Sequence, residues 1–172
     1  MEMVRDGALR AAGEHGAVPA PRLRSPLVWS ALILALAGAG IAGYLAVENL
    51  QGETGVCTVV HGCATVQNSE YGKLFGVPVS VPGFGLYAVL AAAAIMWLAG
   101  RPLARELVTV AAFAGALGGF AFSMYLTAIE AFVLEAWCIY CIVSAVLMTM
   151  LAALWTAVLI VVQRQARAWV GE

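Results

Sequence analysis

Four long apolar stretches, separated by short polar breaks, constrain this chain more than any other feature. The hydrocarbon core of a bilayer is crossed by about 20 apolar residues in helical form. In lipid every backbone N–H and C=O must be satisfied within its own segment, so each stretch is expected to be an α-helix. The spans read as about 27–47, 83–99, 107–129 and 136–162. Glu48, Asn49 and Gln51 end the first, Gly100-Arg101-Pro102 separates the second from the third, and Gln163-Arg164 ends the fourth. With 63% hydrophobic and 11% charged residues, a soluble domain with a solvated surface is excluded. The expected fold class is an all-α membrane protein: a one-domain, four-transmembrane-helix bundle over 27–163, with an extracytoplasmic loop or short helix between spans one and two. Residues 1–26 read as a flexible basic tail and 164–172 as a second tail, both cytoplasmic. The first span is too long for the apolar core of a signal peptide and is expected to stay as an anchor.

Charge sets the expected orientation. The basic residues are Arg5, Arg10, Arg22, Arg24, Lys73, Arg101, Arg105, Arg164 and Arg167. With four spans, all but Lys73 fall on the side of the termini, which the positive-inside rule makes cytoplasmic. The cysteines then face the other, oxidising side, where disulfides persist. The formal net charge of −1, without a basic patch, gives no reason to expect a nucleic-acid partner. Ala35, Ala39 and Gly43 in the first span, and Gly115 and Gly119 in the third, read as packing seams. Trp29, Trp97, Trp137 and Trp155 are expected at the interface or facing lipid. Eight arginines to one lysine, among much Ala and Gly, hint at a bacterium of high GC content, in which this would be a multi-pass protein of the cell (inner) membrane.

The chain has four cysteines in two pairs. Cys138-Ile139-Tyr140-Cys141 falls at the outer end of the fourth span. If that helix begins near Ala136, both sulfurs lie in its first turns, on one face and about one turn apart. Free N–H groups and the partial positive charge of a helix N-terminus favour a thiolate there. Cys138 is expected nearer the water and Cys141 deeper. Cys57 and Cys63 lie in a polar stretch with Gly55 and Gly62, read as a mobile loop whose sulfurs change partners. Two dithiols at different depths suggest an electron route from soluble thiols to a lipid-soluble acceptor. The alternatives are two inert buried cysteines, a stapled loop, and a metal site drawing on Cys57, His61, Cys63, Cys138 and Cys141, whose spacing is no familiar zinc pattern. No metal is expected. Glu130 and Glu135 could relay protons to a reduced acceptor, but residues bracketing such a turn more often mark the water boundary, and they are read so here.

Together, Cys57-x5-Cys63, the run from Ser69 to Pro78 (Ser-Glu-Tyr-Gly-Lys-Leu-Phe-Gly-Val-Pro), Phe84-Gly85, Ser123-Met124-Tyr125-Leu126 and Cys138-Ile139-Tyr140-Cys141 resemble the bacterial branch of the vitamin K epoxide reductase family. The resemblance spans roughly 27–163. It implies a four-helix bundle around a quinone, menaquinone or ubiquinone. Cys138 and Cys141 would be the active-site pair, with Cys141 beside the quinone. Cys57 and Cys63 would be the shuttle pair, taking electrons from a thioredoxin-fold thiol oxidase. It further implies that Ser69, Phe84, Leu126 and Leu134 line the quinone site.

Three departures qualify this. Many bacterial members carry a fused thioredoxin-like domain. Here the chain ends at Glu172, so the thioredoxin-fold partner is expected to be a separate protein, and this chain a monomer. The animal enzymes place an asparagine before the second span, where this chain has Val79-Ser80-Val81-Pro82, and a tyrosine four residues after the second active-site cysteine, where it has Ala145. Both absences argue against epoxide reduction and leave quinone reduction intact. The expected function is a quinone-dependent thiol oxidoreductase that generates disulfides. The competing readings are a non-catalytic four-span scaffold with a stapled loop, an outward carrier of reducing power, and a true vitamin K epoxide reductase.

Overall fold

The computed structural model describes residues 24–51, 62–100 and 102–170. Four long helices dominate: α1 (Arg24–Gln51), α3 (Ser80–Ala99), α4 (Pro102–Phe132) and α5 (Ile139–Val170). Between α1 and α3 lie a short helix α2 (Cys63–Asn68), a 3-10 turn (Glu70–Gly72) and a two-stranded antiparallel hairpin, β1 (Lys73–Leu74) with β2 (Val77–Pro78). The expected all-α, four-span fold is what forms. The stretches long and apolar enough to cross a membrane are Pro26–Gln51, Ser80–Ala99, Arg105–Phe132 and Ile139–Gln165, so this is a multi-pass membrane protein. Large apolar side chains such as Ile33, Val89 and Leu107 stand exposed along the outer faces, as lipid contact requires.

The helices close into a ring in which α1 packs on α3 and α5, and α4 packs on α3 and α5. Lipid is as apolar as leucine, so close packing and hydrogen bonds, not the hydrophobic effect, hold such a bundle together. The core is correspondingly rich in small residues: Ala31, Ala35, Ala42, Ala91, Ala94, Ala112 and Ala116 are buried beside Leu90, Leu151 and Val158. The two seams do pack: a Cβ on Gly119 would lie 2.7 Å from Leu86 and 2.9 Å from the Met148 sulfur, and one on Gly43 would meet Phe84 at 3.2 Å. Polar groups inside the spans close on the nearest backbone. Thr127, Thr149 and Thr156 each donate to the carbonyl four residues back, at 2.7–2.9 Å.

Two of the four tryptophans named above correct the expectation. Trp29 and Trp137 are exposed, but Trp97 and Trp155 are buried in the core. Trp97 is held there by polar partners. Its Nε1–H donates to Thr109 Oγ1 at 3.1 Å, Thr109 Oγ1–H donates to the Arg105 carbonyl at 2.7 Å, and Arg105 Nε–H donates to the Trp97 carbonyl at 3.0 Å. The Arg105 guanidinium also lies 4.9 Å from the centre of the Trp97 ring, a cation–π contact. This ring of contacts fastens the end of α3 to the start of α4 around the Gly100–Pro102 break, where Pro102 opens α4.

At the other end of the bundle, α4 stops at Phe132. The N–H groups of Val133 and Leu134 both reach the Ile129 carbonyl at 3.0 Å. Glu135 then takes a left-handed conformation (φ 49°), which reverses the chain. The last helix begins at Ile139, three residues later than the sequence suggested, so Ala136 and Trp137 precede it and Cys138 becomes its N-cap residue.

Candidate functional site

Cys138 is fully buried at the N-terminus of α5, its carbonyl accepting the Ile142 N–H at 3.1 Å. The first N–H groups of a helix have no partner within it. Here the N–H groups of Tyr140 and Cys141 point at the Cys138 sulfur, and the Cys141 thiol donates to it. The Cys138 thiol is thereby lowered from 9.0 to about 7. The Cys141 thiol is the largest cause and the two backbone N–H groups assist, against burial and the charge of Glu130. Cys138 and Cys141 are free thiols, with Cys141 only partly buried.

Over Cys138 lies α2. Its first residue, Cys63, is completely buried and forms one cluster with Val66 and Cys138, flanked by Leu134, Ala136, Tyr140 and Cys141. Cys63 is disulfide-bonded. Two expectations are corrected here. Cys63 does not sit in a wet loop, and Cys138 does not face water, because the short helix shields both. Gly62 makes the close approach possible: a Cβ there would fall 2.6 Å from the Trp137 carbonyl oxygen and 2.7 Å from the Trp137 nitrogen, both backbone atoms that cannot move aside. Cys57 and His61 lie outside the described residues.

Below this cluster is a cavity of about 460 Å³. Walls come from Leu86 of α3, Phe122, Leu126 and Ile129 of α4, Leu134 beyond it, and Met148 of α5. Cys141 lines it and Cys138 does not. Of the residues assigned to the site by resemblance, Leu126, Leu134 and Cys141 are therefore on the cavity. Ser69 and Phe84 are not. The Ser69 hydroxyl donates to the Val66 carbonyl at 2.7 Å and accepts the Gly72 N–H at 3.1 Å, so it forms the turn after α2. Phe84 is exposed and packs towards Gly43.

The cavity also has polar residues, of which the sequence drew attention only to Glu130. Gln67 Nε2 and Oε1, Ser80 Oγ and Glu130 Oε1 are buried without a hydrogen-bond partner. All three residues line the cavity, together with Asn49, Tyr71, Tyr87 and Tyr140. The Tyr87 hydroxyl hydrogen-bonds the Ser144 carbonyl (3.0 Å) and the Ser144 hydroxyl (2.9 Å), which ties α3 to α5 behind the cavity. Unpartnered polar atoms on an apolar wall are costly unless something fills the space.

Glu130 corrects a further expectation. It is 2% exposed and marks no water boundary, whereas Glu135 is exposed. Its Oε2 accepts the Cys138 N–H at 3.1 Å, so the last full turn of α4 anchors the start of α5. Glu130 and Cys141 line the same cavity. The signal was present in the sequence: an acidic residue with apolar residues at Leu126, Ile129, Phe132, Val133 and Leu134 around it is a functional candidate by position.

A volume of this size, mostly apolar with a few converging polar groups, suits a small flat ligand. A quinone ring has an apolar body and two carbonyl oxygens, so the residues present fit it. Gln67 and Ser80 can donate to a carbonyl, and the Gln67 Oε1 can accept from a hydroxyl once the ring is reduced.

The Vitamin K epoxide reductase family pattern matches residues 29–156, which hold Cys63, Cys138, Cys141 and every cavity residue. No curated protein matches the chain.

Proposed function

The chain belongs to the vitamin K epoxide reductase family, whose members are quinone-linked thiol oxidoreductases, and we propose that it takes electrons from a protein dithiol and delivers them to a membrane quinone, so forming disulfides in its partner. The observation that carries this reading is serial placement. Disulfide-bonded Cys63 packs against Cys138, Cys138 is hydrogen-bonded to Cys141, and Cys141 opens on the cavity.

In this reading Cys57 and Cys63 form the shuttle disulfide. The partner is a separate thioredoxin-fold protein whose thiolate attacks that disulfide and leaves Cys57 and Cys63 reduced. Cys63 then attacks a Cys138–Cys141 disulfide at Cys138, its neighbour in the buried cluster, which expels Cys141; Cys57 next attacks Cys63, so that the Cys57–Cys63 disulfide re-forms and Cys138 leaves as a thiolate. The Cys138 thiol, lowered to about 7, is a good leaving and attacking group near neutral pH. Cys141 is left as the reducing thiol at the cavity wall. Quinone supplies the two-electron, two-proton acceptor. The protein's own contribution is to hold the sulfurs in line, shield them from water beneath α2, and present donors at Gln67 and Ser80.

The arginine distribution favours cytoplasmic termini, with α2 and the cysteines on the extracytoplasmic face of a bacterial cell membrane. Menaquinone and ubiquinone both have the required ring. Ala145, where the animal enzymes have tyrosine, favours quinone over epoxide as substrate.

Disulfide trapping tests the relay. With Cys57 and Cys141 both changed to alanine, Cys63 and Cys138 are the only thiols left. Mild oxidation is expected to link them in nearly every molecule, seen as loss of both free thiols by mass spectrometry. Two thiols that stay free under oxidant would contradict the proposed path.

A further inference from the structure

The path above moves electrons but leaves open where the Cys141 proton goes. Glu130 is 2% exposed, has one carboxyl oxygen fixed by the Cys138 N–H and the other buried without a partner, and lines the same cavity as Cys141. The other titratable side chains lining that cavity are the phenols Tyr71, Tyr87 and Tyr140, and among the described residues no lysine, arginine or histidine lines it. Tyr87 is already engaged with Ser144. An ionisable group at this depth is costly and is kept where it does chemistry.

We infer that Glu130 is the proton carrier of the quinone step, taking the Cys141 proton on its free oxygen and returning it to the reduced ring. This rests on the thiol-to-quinone reading. The balance is that of a two-electron oxidation. The Cys141 S–H bond breaks and its proton passes to Glu130. The Cys138–Cys141 S–S bond forms, and the electron pair leaves to quinone. Two protons end on the ring oxygens of the hydroquinone, one from Glu130 and one from solvent, which balances the proton that Cys138 loses when it ionises. The Oε2 bond to the Cys138 N–H keeps the carboxyl in place throughout, so one residue both positions the thiol pair and serves it as a base.

The variant Glu130→Gln separates this role from mere electrostatics. Glutamine keeps an acceptor for the Cys138 N–H but removes the charge and the acid–base group. Two quantities are measured on the full chain in detergent. One is the pH midpoint of thiolate absorbance in the reduced, quinone-free protein. The other is dithiothreitol-driven reduction of a short-chain quinone. Loss of the neighbouring charge should move the thiolate midpoint down, so more thiolate is present at neutral pH. Turnover should nevertheless fall by about 100-fold or more. Turnover that is unchanged, or that rises with the thiolate fraction, overturns the proton-carrier role and leaves the quinone reading intact. A wild-type protein that reduces no quinone overturns both. If Glu130→Gln does not fold, Glu130→Asp decides. The acidic limb of its pH–turnover profile should shift from that of the wild type, and coincident limbs would overturn the assignment.

Discussion

Cys138 and Glu130 show how much of this site depends on single groups. At Cys138, three donors converge on one sulfur, so the thiolate is expected to form with a midpoint near pH 7, where an ordinary thiol needs about pH 9. Re-formation of the Cys138–Cys141 disulfide in the quinone step, for which Cys138 must be a thiolate, should then be nearly pH-independent above neutrality and slow below it, as the sulfur takes its proton back. Ultraviolet thiolate absorbance of the reduced protein against pH checks this, and a midpoint near 9 would contradict it. Gln67 offers a second test. It lines the cavity, and neither of its polar amide atoms has a protein partner. Gln67→Ala should weaken quinone binding about 2- to 10-fold, the value of one hydrogen bond, with kcat for bound quinone little changed. KM and kcat measured against quinone concentration separate the two. Cysteine spacing made Cys138 and Cys141 legible in the sequence. Glu130 was noticed but read as a boundary residue, and Gln67 and Ser80 were not singled out, because their meaning comes from α2, α3 and α4 converging on one space. The Ser69 hydroxyl is satisfied within a tight turn, and the sequence does not show whether such a group points into the turn or away from it.

Among the elements, α2 and the two ends of α4 carry most of the specificity. The short helix lies over the thiol pair because Gly62 lets its start meet the Trp137 backbone. Gly62→Ala should lift α2 from the bundle. Partner-driven turnover should then drop at least about tenfold, because Cys63 no longer meets Cys138, while a small dithiol that reaches Cys138 directly still drives quinone reduction. Equal loss of both activities would show that α2 is needed for the cavity itself. At the far end of α4, the Trp97–Thr109–Arg105 ring is a stability device remote from the chemistry. Thr109→Val strands the buried Trp97 N–H and should cost about 1–3 kcal/mol, seen as a lower Tm in detergent with turnover unchanged at low temperature. The spans themselves were readable from hydropathy alone. Their internal faces were not: hydropathy cannot distinguish a tryptophan facing lipid from Trp155, which is wholly enclosed by the bundle. The start of α5 was also placed early, since Ala136 and Trp137 are as apolar as the helix they precede.

The molecule as a whole is a membrane bundle closed at one end by a small cap. The order is cap disulfide, buried thiol, cavity thiol, cavity. In the proposed relay that order makes the cysteines a directed path. The competing scaffold reading accounts for a disulfide in the cap, but it gives no role to a lowered thiol at the N-cap of α5 or to a 460 Å³ cavity with stranded polar atoms. The most direct test of the central claim is quinone reduction by the purified protein, driven by dithiothreitol, in the wild type and in each cysteine-to-alanine variant. The account predicts that Cys138→Ala and Cys141→Ala abolish turnover, while Cys57→Ala and Cys63→Ala retain it. Turnover indifferent to Cys138 and Cys141 would contradict the account and leave a membrane bundle whose cap disulfide is structural.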